Sequence, residues 1–195
     1  MTALLEASEQ PITDMLEDGV AFVPGFFDDT IDALDEASLL LNSALEESHS
    51  HDYNFGSINN YPDSHALSRI GQKIIQLANS SKEVEHGIIP PMHELPGMTG
   101  RKFDPDDHID WHRDNPLHGT WAIGLAVLNG SGVTEVGSAT PLLGRRHPRV
   151  IESNKSDLIL LRGRFVHGHA VPYARTRVLH RAHASSKGRE ILANF

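Results

Sequence analysis

The sequence changes its pattern near Glu85. Before that point apolar residues recur at helical spacing, whereas beyond it short apolar or alternating runs are separated by Gly, Pro, Asn and Asp. Runs of the second kind are typical of strands. We place eight of them, near 87–95, 98–104, 109–113, 120–128, 133–138, 148–152, 157–162 and 165–183, the last interrupted around Pro172. Helices followed only by strands indicate an α+β fold in which the two are segregated.

The part of the chain before Glu85 predicts three helices and one buried strand. The second helix follows Asp28–Thr30, which supply capping oxygens and negative charge for its first turn. We expect the helices to pack on one sheet. The segment 49–62 has no periodicity, and it is either a lid over a substrate or a mere connection. The predicted ranges are about 12–17, 31–47 and 64–81 for the helices and 19–27 for the strand.

The many short strands favour a double-stranded β-helix, the jelly roll of cupin-like proteins, whose open end offers a pocket between two sheets. The 195 residues suffice for one sizeable core and do not demand a second domain. We therefore expect a single domain over 1–195, with a helical part at about 1–85 and a jelly-roll core at about 86–184. The sequence does not predict an oligomeric state.

Composition excludes several classes of site. The formal net charge of −9 argues against a surface that neutralises nucleic-acid phosphates, so no nucleic-acid partner is expected. The absence of cysteine excludes disulfides, thiolate metal sites and thiol nucleophiles, and any metal must be held by nitrogen and oxygen. Neither a signal peptide nor a membrane-spanning run is recognisable, which makes a cytoplasmic location the expectation.

The segment Phe103–Asn115 concentrates residues that bind metals. It holds two His-x-Asp pairs, of which His108 with Asp110 is one and His112 with Asp114 the other. Residues two apart in a strand point to the same side, so an imidazole and a carboxylate at this spacing can bind one ion together. From spacing alone, both pairs are candidates.

A second pair of histidines, His167 and His169, follows the apolar run 158–161. Two imidazoles and one carboxylate on one face of an ion form the facial triad of non-haem Fe(II) oxygenases, which leaves adjacent positions open for reactants. The sequence therefore predicts an iron site that joins the two segments.

Several segments, in this order, resemble those of the Fe(II)/2-oxoglutarate-dependent dioxygenases. The segment 103–114 looks like the strand, turn and Trp-His-x-Asp of that family, and Asp157 followed ten residues later by His167 is similar to its acidic-apolar strand and second iron histidine. Arg177 lies ten residues further on, where many members bind the distal carboxylate of 2-oxoglutarate. The resemblance implies Fe(II), 2-oxoglutarate and O₂ as cofactor and co-substrates. It implies the metal ligands and catalytic residues His112, Asp114 and His167.

Alternation along the last strand places Arg177 and Arg181 on one face, so that if Arg177 faces the interior, Arg181 does too. Arg181 then binds an acidic group of the primary substrate or forms a structural ion pair. Trp111 and His169 are further candidates for substrate binding, with core positions as the alternatives. His169 also competes with His167 as a ligand, but the ten-residue distances favour His167.

The expected function is hydroxylation of a small polar or anionic metabolite, with release of succinate and CO₂. Within the family, the closing segment 177–182 looks like that of taurine-dioxygenase-type members. Two alternative functions remain. The first is an AlkB-type oxidative nucleobase demethylase, because the turn before His112 looks like the turn of those enzymes. A non-catalytic, metal-binding cupin-like module would bind metal but not 2-oxoglutarate.

Overall fold

The computed structural model describes residues 3–4, 6–47, 55–57, 64–93, 98–112, 121–140, 144–145, 148–163, 165–166, 169–170 and 177–194. Four α-helices lie in these ranges: α1 (Pro11–Asp18), α2 (Ile31–Glu47), α3 (His65–Asn79) and α4 (Lys82–Glu85). The three predicted helices are confirmed, and the one-turn helix α4 was not predicted. None of the helices in the described ranges combines the length and hydropathy needed to cross a bilayer.

Local chemistry explains where the helices begin and end. Pro11 opens α1, where a missing N–H costs nothing, and Gly19 closes it with a φ of 88°. The Ser64 side chain accepts a hydrogen bond from the Leu67 N–H and caps α3. Ser81 caps α4 in the same way through the Val84 N–H.

Twelve strands lie within the described ranges, ten of them in one sheet and two in a separate pair. They are β1 (Ala3–Leu4), β2 (Val20–Val23), β3 (Phe55–Ser57), β4 (Met98–Phe103), β5 (His108–His112), β6 (Ala122–Thr140), β7 (Gly144–Arg145), β8 (Arg149–Asn154), β9 (Leu158–Arg162), β10 (Phe165–Val166), β11 (His169–Ala170) and β12 (Arg177–Asn194). β10 and β11 form the separate pair.

The long strand β12 holds the large sheet together. It forms antiparallel ladders with β4, β5 and β6. β6 in turn pairs with β7, β8 and β9, while β2 pairs with β9 and β3 with β4. The sheet is antiparallel except at β1, which runs parallel to β8.

Three strand predictions were wrong in their bounds. Residues 87–93 form turns and coil, because Pro90 and Pro91 have no N–H for a ladder. The predicted strands 120–128 and 133–138 are one strand, β6, which continues through Gly130. The last strand runs on beyond 183 to Asn194, and the predicted break at Pro172 lies outside the described residues.

Each face of the sheet carries its own apolar cluster. Leu158 and Leu160 of β9 belong to the cluster that includes the helices, whereas Ile159 and Leu161 belong to the cluster on the opposite face. All five residues of β9 are buried because both faces are covered. We call the second face the interior face. The sheet-rich α+β organisation, with helices packed on the sheet, is thus confirmed.

Polar contacts also hold α2 against the sheet. Glu190 of β12 accepts hydrogen bonds from Ser38 and Asn42, the latter at 3.0 Å. Lys102 of β4 donates to the Asn42 side chain at 2.6 Å. Lys102 and Glu190 are Cα partners, so both point to the helix-covered face. Their neighbours Arg101 and Ile191 point the other way, to the interior face.

Candidate active site

His112 ends β5 beside the interior face. Its Cα partner on β12 is His180, which is 5% exposed. The two imidazole centroids are 4.1 Å apart, with the rings tilted by 59°. The neighbouring residues Val178 and Ala182 of β12 belong to the interior cluster. One side of the His112 ring therefore packs against the buried side chain of His180.

Two contacts define the tautomer of His112. Its Nδ1 lies 2.8 Å from the carbonyl oxygen of Asp110, and its Nε2 lies 3.5 Å from Nη1 of Arg101. A carbonyl only accepts and a guanidinium only donates. Nδ1 therefore carries the proton, and Nε2 presents a lone pair. This is the form in which an imidazole binds a metal, with its other nitrogen oriented by a carbonyl.

Arg101 lies on β4, which pairs with β12 as β5 does. The Cα partner of Arg101 on β12 is Ile191. Since Ile191 belongs to the interior cluster, Arg101 projects to the interior face as well. Arg101 as a whole residue is only partly buried. A cation thus lies next to the metal-type nitrogen of His112.

A register shift separates the two His-x-Asp pairs. Between His180 and Ala182 the ladder of β5 with β12 is irregular, so that Ile109 opposes Ala182 and His108 opposes His183. Ile109 packs on the interior cluster, whereas His108 and Asp110 are exposed. The interpretation that His108 and Asp110 share a face with His112 was wrong, because a bulge inverts the alternation.

The outward histidines His108 and His183 form their own stack. Their rings are 5.7 Å apart and nearly parallel, at 17°. Nε2 of His183 lies 3.9 Å from the Glu135 carboxylate. Among the residues that the structure describes, no three His, Asp or Glu side chains are grouped closely enough to hold a metal.

Arg181 lies on the face opposite His180. Its Nη2 donates to both carboxylate oxygens of Glu135, at 2.8 and 2.9 Å, and its guanidinium lies 5.2 Å from the centre of the Trp111 ring. The buried residues of this part of β12 are Val178, His180 and Ala182. Arg181 therefore does not face the interior, and it has the acidic partner that one of the two sequence interpretations required.

Several predicted site residues lie outside the part of the chain that is described. Asp114 and His167 are among them. His169 belongs to β11 and Arg177 begins β12 opposite Ala139, but their side chains are outside the description. The assignments of Asp114, His167, His169 and Arg177 therefore stay predictions.

Sequence reasoning missed a second arginine on the interior face. Arg189 is 2% exposed, and its guanidinium donates to the hydroxyls of Thr134, at 2.9 Å, and Ser153, at 2.6 Å. Burial lowers the pKa of Arg189 to about 10. The signal would have been its alternation with the apolar residues Ile191 and Ala193, had the strand been extended that far.

The described donor chemistry fits the metal that the sequence predicts. His112 presents a lone-pair nitrogen on the interior face, and an imidazole of this kind suits divalent iron. The remaining ligands of the predicted set, one carboxylate and one imidazole, follow His112 in the sequence.

No protein-family model matches the sequence. The sequence matches no curated protein either. Solved structures, in contrast, include many similar folds. A prolyl-4-hydroxylase from Pseudomonas putida superposes with a TM-score of 0.63 at 13% identity, and 94% of each chain is covered.

Two other similar structures carry the same kind of name. A 2OG-Fe(II) oxygenase family protein from Burkholderia pseudomallei gives a TM-score of 0.61 at 13% identity, covering 100% of this chain and 94% of that one. HygX from Streptomyces hygroscopicus, with nickel and 2-oxoglutarate bound, also gives 0.61, at 11% identity with 96% and 86% covered. The chain has the fold of these oxygenases. The resemblance found in the sequence is thereby confirmed at the level of the fold.

Proposed function

We propose that the chain is an Fe(II)- and 2-oxoglutarate-dependent oxygenase that hydroxylates a small polar or anionic metabolite. The observation that carries the proposal is the position of His112, whose lone-pair nitrogen lies on the interior face of a sheet with the fold of 2-oxoglutarate oxygenases. Asp114 and His167 complete the proposed set of ligands. The overall reaction joins 2-oxoglutarate, O₂ and a C–H group of the substrate to yield succinate, CO₂ and the hydroxylated product.

The proposed architecture is a jelly roll within one domain. The interior face is the inner surface of its sheets, and 86–184 is the core, with β12 extending this core to Asn194. Support comes from the antiparallel ladders of β4, β5, β6, β8 and β9 and from the two apolar clusters that divide the faces. Helices pack on the outer face, and the proposed ligands bind on the interior face beside His112.

Each residue of the site has a separate task. When bound, iron supplies the redox chemistry that couples oxidation of the keto acid to oxidation of the substrate. His112 keeps its proton on Nδ1 through the Asp110 carbonyl, so its Nε2 is oriented before the metal arrives. The resemblance assigns Arg177 to the distal carboxylate of 2-oxoglutarate, since a guanidinium and a carboxylate form a bidentate charge-assisted pair. The alternation argument tied this role to an interior position of Arg181, which Arg181 does not have, so the assignment rests on the resemblance alone.

The substrate class is proposed on chemical grounds. The negative net charge of the chain disfavours polyanions such as nucleic acids. Arg181 contributes less to this proposal than the sequence suggested, since Glu135 neutralises it. The Pseudomonas putida structure is named a prolyl-4-hydroxylase, so a proline-containing peptide belongs in the substrate screen beside acidic metabolites.

The proposal is tested by anaerobic titration of the apo-protein with Fe(II) and then 2-oxoglutarate, followed by the visible charge-transfer band. We expect a band in the wild type, its loss in Asp114→Ala and His112→Ala, and a higher 2-oxoglutarate requirement in Arg177→Ala. The matched controls Asp110→Ala and His108→Ala, whose side chains are exposed, should keep the band. Bound metal without a band in the wild type would reject the oxygenase and favour a metal-binding module.

A further inference from the structure

The outward-facing side of the sheet carries a pair of histidines that the proposed function does not use. His108 on β5 and His183 on β12 are Cα partners, so their side chains project side by side from one face. Their ring centroids are 5.7 Å apart, and the ring planes differ by 17°. The side chain of His183 is 40% exposed, and His108 is exposed as well. A ligand from solvent can therefore reach both rings.

The nitrogens of the two rings are available to such a ligand. Within the described residues neither ring takes part in a hydrogen bond, and Nε2 of His183 lies 3.9 Å from the carboxylate of Glu135. A neutral imidazole has one N–H and one nitrogen lone pair. Each ring thus offers one lone pair that no described donor occupies.

The separation of the rings suits a shared metal ion. A zinc ion lies about 2 Å from the nitrogen of each imidazole that binds it, which puts the centroids of two such rings about 5–6 Å apart. The 5.7 Å between His108 and His183 falls in this range. Rotation of the two side chains, without movement of the strands, is then enough to turn one nitrogen of each ring toward the same ion.

The charges around the pair favour a cation. Asp107 precedes His108 directly and Asp110 follows it two residues later, and both aspartates are exposed. The neighbouring guanidinium of Arg181 is neutralised by its contact with Glu135. An incoming divalent ion therefore meets more negative than positive charge.

We propose that His108 and His183 form a second metal site, which binds a divalent ion that favours imidazole, such as Zn²⁺. No third His, Asp or Glu of the described residues is grouped with them, so water completes the coordination. Mg²⁺ and Ca²⁺, which prefer oxygen ligands, do not bind there. The ion links β5 to β12 beside the bulge that precedes His112, and it stabilises the folded chain because only the folded ladder brings the two rings together.

The first test counts zinc ions by isothermal titration calorimetry in His112→Ala, in which the proposed iron site lacks a ligand. This variant should bind one Zn²⁺ ion. Adding His108→Asn or His183→Asn should weaken that binding by about 100-fold, because a chelate becomes a single ligand. Adding His86→Asn, which alters an exposed histidine at the end of α4, should leave the zinc affinity within about threefold.

The second test uses the wild-type chain and its single variants. In NMR spectra of the histidine rings, the Cε1–H signals of His108 and His183 should shift together and reach their end points at the same zinc concentration. Zn²⁺ should raise the melting temperature of the wild type more than that of His108→Asn or His183→Asn. Without metal the three melting temperatures should agree, since both side chains are exposed.

Three results would overturn the inference. The first is loss of zinc affinity in only one of the two variants, which would mean that a single surface histidine binds the ion. The second is an equal zinc affinity in the His108→Asn, His183→Asn and His86→Asn variants. The third is a response to Mg²⁺ as large as the response to Zn²⁺.

The second metal site is independent of the proposed function. His108→Asn and His183→Asn should keep the charge-transfer band of Fe(II) with 2-oxoglutarate, because both side chains lie on the face opposite the buried His180. A wild type without this band rejects the oxygenase, while the zinc titrations still decide whether the outward pair binds a metal.

Discussion

Arg181 and Glu135 are Cα partners on β12 and β6, and one guanidinium nitrogen of Arg181 donates to both oxygens of the Glu135 carboxylate. The Arg181 side chain is 35% exposed and that of Glu135 15%. The pair is thus partly screened by solvent, and its contribution to stability is modest. It also removes the charge that would make Arg181 attract an anionic substrate.

We therefore expect a small coupling between these residues and little effect on ligand binding. A double-mutant cycle of Arg181→Gln and Glu135→Gln, measured by urea unfolding, should give about 0.5–1 kcal/mol. The 2-oxoglutarate affinity of Arg181→Gln should match that of the wild type. A negligible coupling, together with loss of substrate binding in Arg181→Gln alone, would instead restore the substrate-binding role.

Gly130 is predicted to tolerate no side chain. Its φ is 71°, and a Cβ there would lie 2.1 Å from the carbonyl oxygen of Gly188 on the neighbouring strand. Gly130→Ala should lower the free energy of unfolding by about 2–4 kcal/mol, from left-handed backbone strain and the clash together.

Gly87 supplies the control for this substitution. Its φ is 68°, but a Cβ there would have no atom within 4 Å. Gly87→Ala should cost only about 1 kcal/mol, the price of the backbone conformation. Equal losses for the two variants in urea unfolding would mean that the approach of Gly188 contributes nothing.

Asp157 is expected to be important for stability because it joins two turns. Its buried carboxylate accepts from the N–H of Gly25, at 2.8 Å, and from the N–H of Asn154, at 2.7 Å. Asp157→Asn puts an amide donor against one of these N–H groups, and we expect a loss of about 2 kcal/mol. Asp35→Asn breaks only an exposed contact with Lys155 and should cost about 0–0.5 kcal/mol. Similar melting temperatures for both variants would contradict this role.

Arg189 should affect stability mainly through the space it fills. Arg189→Ala leaves a cavity and two hydroxyls without their donor, so we expect a loss of about 3 kcal/mol. Arg189→Met keeps most of the volume and should cost about 1 kcal/mol or less, since it also removes a buried charge. Chemical denaturation of both variants at pH 8 measures the difference.

The pH dependence of stability should also report on Arg189. Burial lowers its pKa to about 10 in the folded protein, below its ordinary value in the unfolded chain. Above about pH 10 the unfolded state then binds more protons than the folded state, so this residue makes stability rise with pH. The stability of the wild type relative to Arg189→Met should increase between about pH 9 and pH 11 in urea unfolding. A constant difference would show that the guanidinium stays protonated.

Much of the fold was predictable because apolar spacing is a local property. The helix bounds at Ile31–Glu47 and the strands near 98–104 and 157–162 follow directly from it. The strand predicted at 87–95 is not found in the described residues 87–93, because apolar residues beside prolines pack there without forming a ladder. The two predicted strands join into β6 through pairing with β12, which is distant in sequence and therefore not visible in the local pattern.

The site was less predictable because alternation fails at a bulge. The register shift near Arg181 places His112 on the interior face and His108 on the other, although both have the same parity in the sequence. A second irregularity between Ala184 and Arg189 changes which residues of β12 face the interior cluster, from even-numbered to odd-numbered ones. Neither shift is visible in residue types. The metal-type nitrogen of His112 was found from sequence, but its contact with Arg101 was not.

The central place of β12 has a consequence for how the chain is made. The strand is synthesised after every strand it pairs with, so during translation the edges of β4, β5 and β6 present unpaired amide and carbonyl groups. Such contacts between distant segments form slowly. We expect the nascent chain to stay incompletely folded until β12 leaves the ribosome, and a chain arrested before β12 to be a substrate for chaperones and a source of aggregates.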